Sequence, residues 1–202
     1  MSPARESVPA AAESVAVSGE LGRLRARRPR SEAALIRGAL AGSEADLEAL
    51  FRRFWPRAYR AAFLIVHDHA AAEDIAQEAF LAAIRRLDRF DRQRRFGPWL
   101  GTIVANRAID WARARAARRE TADAGAEPPS PPEVPLGRYS QEVLAALSAL
   151  SPEHRAVIVL RYLLDYSPGE IARALDLPRG TVNSRLRRGL DSLETRLKEM
   201  ER

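Results

Sequence analysis

A proline-rich segment at residues 120–137 restricts most strongly how this chain can fold. It contains five prolines and four acidic residues but no lysine or arginine. Proline lacks the amide hydrogen that helices and sheets require, so this composition excludes both and predicts an extended linker. Helical patterns without strand alternation lie on both sides of it. The sequence therefore predicts an all-α protein in which two helical modules, at 31–119 and 139–202, are joined by a flexible, acidic linker at 120–138.

The composition supports two folded modules and narrows the chemistry open to them. Of 202 residues, 46% are apolar, which is ample for helical cores. The chain has no cysteine, so disulfides and cysteine-ligated zinc are excluded. Residues 1–30 end in a basic cluster and lack the apolar core of a signal peptide, so we expect a disordered basic tail. No apolar run is long enough to cross a bilayer, and we expect a cytoplasmic protein without membrane insertion.

Four helices are predicted in the first module. Apolar spacing and caps place the first at about 32–40, and the second runs from a cap at Ser43 through Ile65. Within this long helix Pro56 predicts a kink or a local break. The third and fourth helices are predicted at about 70–87 and 98–119.

The second module is predicted to be four helices, the last two forming a helix-turn-helix. Helices at about 141–150 and 152–164 come first. Ser167, Pro168 and Glu170 then form a capping-box pattern with proline at the first helical position. In the final helix we expect an apolar stripe formed by Val182, Leu186, Leu190, Leu193 and Leu197. The opposite face carries Thr181, Ser184, Arg187, Arg188 and Asp191.

This final helix has the composition of a DNA reader. Gly180 and Thr181 are small residues at its start, where a backbone approaches a phosphate closely, and arginines follow in the first turns. The planar fork of arginine suits bidentate contacts to phosphate and guanine. Two consecutive amphipathic helices with a solvated charged face are also common in helical bundles, so spacing alone leaves that alternative open.

Positive charge is concentrated in one part of the first module. Residues 85–119 contain eleven arginines against three aspartates, whereas the whole chain has a net charge of +6. Phe90, Phe96 and Trp99 are interleaved with these arginines, the mixture that single-stranded nucleic acid binders use to hold phosphates and stack bases. The alternative is that the aromatic rings lie in the core and the arginines are solvated.

The third predicted helix presents a different surface. Asp74, Glu78 and Leu81 face outward with Gln77 at the flank, while Phe80 belongs to the inward face. An exposed leucine among carboxylates suggests a docking surface for a basic or amphipathic partner. Nearby, His67 and His69 flank an aspartate that makes a natural helix cap, and no further histidine cluster accompanies them. We therefore predict neither a metal site nor a cofactor.

Three stretches, in order, resemble a known family. They are AEDIAQEAFLAAIRRLDRF, FGPWLGTIVANRAIDWARARAARR and LSPEHRAVIVLRYLLDYSPGEIARALDLPRGTVNSRLRRGLDSL. Over residues 33–119 and 139–197 the chain resembles the extracytoplasmic-function (ECF) sigma factors of bacterial RNA polymerase. The resemblance implies a protein that is not an enzyme, binds core RNA polymerase, directs it to promoters and helps to melt them. It also implies an anti-sigma factor as a further partner.

The resemblance assigns three sets of residues. Those that meet core polymerase are Asp74, Gln77, Glu78, Phe80 and Leu81. Those that bind the melted, single-stranded minus-ten element are Arg89, Arg92, Arg94, Arg95, Phe96, Asn106 and Arg113. Those that read the minus-thirty-five element in duplex DNA are Arg179, Thr181, Ser184, Arg185, Arg187 and Arg188. The acidic linker corresponds to the connector that family members thread toward the polymerase active-site cleft.

Two other functions are compatible with parts of the sequence. One is a free-standing helix-turn-helix regulator whose first module senses a ligand, and the other is a metal hydrolase that uses His67 and His69. A self-sufficient repressor usually needs a dimer interface to meet two half-sites, and the sequence offers neither a coiled-coil heptad nor a spare apolar face. The localised charge and the linker favour the promoter-specificity subunit.

Overall fold

The computed structural model describes residues 30–121 and 141–200, and within them it contains eight α-helices and no strand. The all-α prediction is confirmed. The predicted tail, apart from Arg30, and most of the predicted linker lie outside these residues. The first module comprises α1 (Glu32–Leu40), α2 (Glu44–Val66), α3 (His69–Ile84), a 3-10 turn (Leu87–Arg89) and α4 (Phe96–Thr121). The second comprises α5 (Gln141–Ser148), α6 (Pro152–Ile158), a π-helical turn (Val159–Leu163), α7 (Pro168–Ala174) and α8 (Arg179–Met200).

Helix starts follow the caps in the sequence. The hydroxyls of Ser31, Ser43 and Ser151, and a carboxylate oxygen of Asp68, each accept a hydrogen bond from the backbone N–H three residues later. Such caps satisfy one of the four N–H groups that every helix start leaves without an internal partner. The end of α1 is also determined by a neighbouring residue, since Gly42 adopts the left-handed region with φ of 84°.

Three predicted elements differ in detail. Of the kink or local break predicted at Pro56, the break is wrong: α2 continues through Pro56, because buried side chains on both sides hold the helix against α3 and α4. The third helix ends at Ile84 rather than 87, and α4 begins at Phe96 and extends to Thr121, two residues into the predicted linker. The predicted helix at 152–164 is α-helical to Ile158 and then becomes a π-helical turn.

The cores of the two modules are continuous with each other. In the first module α2 is central and packs against α1, α3 and α4, whereas in the second α8 packs on α5, α6 and α7. The second module then lies against α2 and α4 of the first, through α6 and the π-helical turn. Leu164 and Tyr166, which follow that turn, are each only 5% exposed.

Candidate nucleic-acid interface

The helix-turn-helix has the local geometry that its sequence predicts. The hydroxyl of Ser167 accepts from the N–H of Glu170 over 3.3 Å, and the Glu170 carboxylate accepts from the N–H of Ser167 over 2.8 Å. These two bonds complete the capping box. The Ser167 hydroxyl also donates to the Glu170 carboxylate over 2.7 Å, and this bond and the one from the Ser167 N–H lower the pKa of Glu170 because both stabilise its charged form. Asp176, in the turn before α8, has φ of 51°, a left-handed conformation that aspartate tolerates.

On the inner face of α8, one predicted buried position is wrong. Val182 and Leu186 are buried as expected, but Leu190 is 37% exposed and Gly189 is buried in its place. Residue 189 lies seven positions after 182, within about 20° of its direction, whereas residue 190 is displaced by about 80°. A Cβ atom on Gly189 would lie 2.8 Å from Cδ1 of Ile158, so α6 and α8 approach closely here and a side chain at 189 would require Ile158 to shift.

The outer face of α8 is accessible over its first turns. Arg179, Arg187 and Arg188 are exposed, while Thr181, Ser184 and Arg185 are half-buried. The closest carboxylate to Arg187 belongs to Asp191, 3.8 Å from its Nε atom, and both side chains remain largely in solvent. All six predicted minus-thirty-five residues therefore lie within the first three turns of α8, and none of them is fully buried.

A second basic surface lies on the loop between the 3-10 turn and α4. Arg89, Arg92, Arg94 and Arg95 are all exposed, so the structure brings these four predicted site residues together. Two features fix the loop. A carboxylate oxygen of Asp91 accepts from the N–H of Gln93 over 3.0 Å, and one of Glu32 accepts from the N–H of Phe96 over 2.5 Å.

The aromatic residues beside this loop form a core cluster. Phe96 is only 2% exposed and its ring contacts those of Phe54, Phe90 and Trp99. The Phe96 ring therefore supports the loop from the core side and is not accessible to a ligand in this conformation. Trp99 is half-buried, with its ring centroid 4.8 Å from that of Phe90.

The two remaining predicted minus-ten residues, on α4, are held by the second module. The side-chain amide of Asn106 donates to the carbonyl oxygen of Ala174 over 3.0 Å. Nε of Arg113 donates to the Glu153 carboxylate over 3.2 Å. Burial alone would raise the pKa of Glu153, but the hydrogen bonds from its own backbone and from Arg113 lower it, so the carboxylate is charged.

A third surface is formed by the outer face of α3. Asp74, Gln77 and Glu78 are exposed there, and Leu81 is 48% exposed beside them. Glu78 also pairs with Arg107 of α4. Phe80, predicted in the same set, is 3% exposed and packs against Phe51 and Trp55, so it supports this face from the core.

The histidine segment is structural. Asp68 caps α3 and pairs with Arg115 over 2.9 Å, while Nδ1 of His69 lies 2.5 Å from the Tyr59 hydroxyl. Within residues 30–121 and 141–200, no group of three or more potential metal ligands comes together. These contacts leave the hydrolase alternative without a site in that part of the chain.

Sequence reasoning missed the contact between the modules. Arg57 donates to the carbonyl oxygen of Leu163 over 2.5 Å and pairs with Asp165 over 2.8 Å. Gly101 of α4 lies against the side chains of Leu164 and Tyr166. The available signal was Gly101 itself, since a glycine inside a helical pattern usually has a packing reason.

Comparison with known proteins gives the same two modules in the same order. Residues 50–118 match the family model "Sigma-70 region 2", and residues 140–193 match "Sigma-70, region 4". The chain is 35% identical over 166 residues to RNA polymerase sigma factor CarQ of Myxococcus xanthus, covering 79% of this chain and 94% of that protein. ECF RNA polymerase sigma factor SigL of Mycobacterium tuberculosis is 33% identical over 172 residues, with 83% and 97% of the two chains covered. The chain belongs to the ECF sigma factors.

Solved structures of sigma factors have the same fold. CnrH, in complex with the cytosolic domain of CnrY, superposes with a TM-score of 0.58 at 26% identity, covering 83% of this chain and 97% of that one. RpoE of Bartonella quintana, in complex with the anti-sigma factor NepR, gives a TM-score of 0.60 at 24% identity, covering 76% and 97%.

As an ECF sigma factor, this protein directs RNA polymerase to specific promoters for initiation. Family membership does not favour the free-standing regulator. The sigma-factor family is not normally enzymatic. Within the described ranges of this sigma factor, no helix is both long and apolar enough to cross a membrane.

Proposed function

We propose that this sigma factor divides promoter recognition between two surfaces and holds core polymerase with a third. A module at 31–119 would bind polymerase and the melted minus-ten element, and a module at 139–202 would bind the minus-thirty-five duplex. The acidic segment at 120–138 would connect them. The observation that carries the proposal is the separation of charge, because the exposed arginines of the 89–95 loop and of α8 lie on different modules.

The polymerase surface is the outer face of α3. Its exposed polar groups surround a leucine that is 48% exposed, which is the mixture of apolar centre and polar rim typical of a protein interface. Replacing Asp74, Gln77 and Glu78 by alanine should weaken binding to core polymerase and leave the fold intact, because the core side of α3 is unchanged. Pull-down with core polymerase, followed by run-off transcription, measures the effect.

A matched control removes two exposed acids elsewhere on the same module, Glu48 and Asp110. The control should bind core polymerase normally. Unchanged affinity of the folded triple variant would remove the α3 face from the mechanism.

The minus-ten surface is the basic loop together with the adjoining face of α4. Four exposed arginines on one short loop suit the phosphates of a single strand, and such contacts make binding strongly salt-dependent. Replacing Arg92 and Arg95 by alanine should reduce the yield of melted promoter complex and flatten the salt dependence of binding. Polymerase affinity of the same variant is the internal control, since these residues lie on the loop and not on α3.

The roles of the linker and of a regulatory protein partner are further parts of this proposal. Deleting most of residues 120–137 should leave both modules folded but impair initiation, because the reach between them shortens. Full run-off activity of the shortened protein would contradict this.

We also propose that the protein acts in the cytoplasm and is controlled by an anti-sigma factor, by analogy with CnrH bound to the cytosolic domain of CnrY. Co-purification of this chain with a protein that blocks run-off transcription is the test.

A further inference from the structure

A buried carboxylate holds the first residue that the structure describes. Asp46 of α2 is only 5% exposed and pairs with Arg30, which precedes the cap of α1. A buried charge requires a partner of opposite sign, so this pair is more than a chance surface contact. The carboxylate occupies a notch over Gly38 of α1, where an added Cβ atom would lie 3.0 Å from Cβ of Asp46. Helices α1 and α2 therefore build a specific site for Arg30.

This anchor lies beside the basic loop at 89–95. Glu32, two residues after Arg30, accepts a hydrogen bond from the N–H of Phe96 over 2.5 Å and so joins the start of α1 to the end of the loop. Helix α1 also contacts the 3-10 turn that precedes the loop. Because a chain spans at most about 3.6 Å per residue, the Cα atoms of Arg30 and Glu32 lie within about 7 Å of each other. The chain that precedes Arg30 therefore begins next to the loop.

The sequence before the anchor has the composition of a phosphate-binding segment. Residues 21–30 read LGRLRARRPR, with five arginines and no acidic residue. Four of these arginines precede the described residues, and they are Arg23, Arg25, Arg27 and Arg28. At no more than about 3.6 Å per residue, Arg28 lies within about 15 Å of Glu32 and Arg23 within about 32 Å. The four charges are therefore tethered close to a loop that carries four exposed arginines of its own.

The composition also indicates which form of DNA this segment suits. Proteins that bind single strands combine basic groups with aromatic rings on which the bases stack, and the first 50 residues of this chain contain no aromatic residue. Duplex DNA carries one phosphate charge per about 1.7 Å of its axis, and arginines bind it without such rings by releasing counterions. Basic arms that flank helical DNA-binding modules contact duplex DNA in this way.

We propose that residues 23–28 form a basic arm that binds the phosphates of the duplex adjoining the melted minus-ten element, and that Arg30, seated against Asp46, holds this arm beside the 89–95 loop. The proposal rests on the assignment of that loop to the melted strand. The loop takes the single strand and the arm takes the double-stranded DNA next to it. Each contact strengthens the other, because binding at one raises the effective concentration of DNA at the other.

The test uses the full chain and two fluorescein-labelled probes. One is a fork, in which a mixed-sequence duplex ends in a single-stranded overhang, and the other is the overhang strand alone. Arg27→Gln/Arg28→Gln should weaken fork binding about tenfold and reduce the slope of log affinity against log salt by about 2, because two phosphate contacts are lost. Its affinity for the overhang strand should be unchanged. Helix α8 is the same in both proteins, so its own duplex binding cancels in the comparison.

A matched control removes the same charge elsewhere on the first module. Arg37→Gln/Arg52→Gln replaces two exposed arginines of α1 and α2. At about 0.1 M salt this control should bind the fork within about twofold of the natural chain, because charges more than about 10 Å from a phosphate are largely screened.

An insertion tests the position of the arm. A flexible segment of glycine and serine placed between Arg28 and Pro29 keeps every arginine and leaves Arg30 on Asp46. With about twenty inserted residues the tether from Arg28 to Glu32 becomes about six times longer, and effective concentration falls roughly as the −3/2 power of tether length. Fork affinity should therefore fall about tenfold, toward that of Arg27→Gln/Arg28→Gln.

Four results would overturn the arm. They are a fork affinity that Arg27→Gln/Arg28→Gln leaves unchanged, an equal loss on the fork and on the overhang strand, natural affinity of the insertion variant, and a loss of core-polymerase binding in place of fork binding. Each of these leaves the proposed function intact. An affinity for the overhang strand that does not respond to Arg92→Ala/Arg95→Ala would instead contradict the minus-ten assignment, and with it the place we give the arm.

Discussion

Helices α4 and α8 have similar compositions and opposite surroundings. They are 26 and 22 residues long, and each carries five arginines. Helix α4 is covered by α2 and α3 on one side and by the second module on another, so Arg107, Arg113 and Arg115 each meet a carboxylate from a different element. Helix α8 rests on its own module and turns its other face to solvent.

The difference shows that an arginine-rich helix becomes a binding surface only where its neighbours leave it accessible. On α8 the carboxylate near Arg187 comes from the same helix and both partners are exposed, so a DNA phosphate can replace it. On α4 the carboxylates come from other elements, and the one that meets Arg113 belongs to the second module. The following predictions test this contrast, beginning with the largest expected effect.

The largest effect concerns which face of α8 is structural. Leu186→Ala should reduce the free energy of unfolding of the second module by about 2–5 kcal/mol, because it leaves a cavity in a buried position. Leu190→Ala should change it by no more than about 0.5 kcal/mol, since that side chain is partly in solvent. Urea denaturation followed by circular dichroism measures both. Equal losses would mean that the stripe runs through 190 after all.

Base reading on α8 is expected to give the next largest effect. Arg188 is exposed and one turn beyond Ser184, so Arg188→Ala should lower discrimination for the cognate upstream element by ~1–3 kcal/mol. Arg179→Ala, at the helix start, should weaken binding to all sequences and flatten the salt dependence. Competition between matched and scrambled upstream elements on the holoenzyme separates the two. An unchanged preference ratio for Arg188→Ala would mean that the reading face is wrongly assigned.

Lowering the pH should weaken the contact between the second module and α4 and leave the exposed surface of α8 unchanged. Burial, together with the positive charge of Arg155 on α6, lowers the pKa of His67 to about 4, while neighbouring Asp68 is paired with Arg115. Because contact between the two modules (docking) favours neutral histidine, docking is at full strength above the ordinary pKa of 6.5 and weakens as the pH falls toward 4. Between pH 7.5 and 5.5 the docking equilibrium should shift by up to about tenfold.

Energy transfer between dyes on Arg52→Cys and Arg173→Cys, both exposed positions, reports this opening. His67→Asn is the control, because asparagine tolerates the left-handed conformation at φ of 51° and does not titrate. A pH response that survives in this variant would assign the effect to other groups.

The smallest effect tests how weakly the α8 arginines are held. Asp191→Ala removes the carboxylate near Arg187 and should cost about 0.5 kcal/mol or less, because the pair is exposed. Duplex affinity should rise slightly, since one acid leaves the DNA-facing side. A double-mutant cycle with Arg187→Ala measures the coupling, and a value well above this range would show that α8 resembles α4 more than we infer.

Local features of this fold were predictable because the residues that determine them are close in sequence. The caps at Ser43, Asp68 and Ser167 each act on a backbone N–H three residues away, so the sequence contains both partners. The inner face of α8 was mostly predictable from a 3.6-residue period, and the error at Leu190 arose because an apolar residue was preferred to a glycine that lies in better phase.

The contact between the modules could not be predicted from residues that are close in sequence. Tyr166 and Pro98 are 68 residues apart, and nothing in either segment specifies the other. The burial of Phe96 was equally out of reach, since this residue sits among arginines in sequence, yet other aromatic rings bury it. Positions that depend on long-range packing need the structure, even where the family is evident from short motifs.

The π-helical turn at Val159–Leu163 has a consequence for how this arrangement can change. The N–H of Leu164 donates to the carbonyl oxygen of Val159, five residues back, so the turn holds one residue more than an α-helical turn. Deleting one residue there would restore regular α-helix, and because the wider turn already accommodates its extra residue, the segment after it would keep nearly the same direction. Leu164 and Tyr166 would then still face α4, each one position earlier in the chain. A change in length of one codon can therefore be absorbed at this turn while the two domains stay coupled.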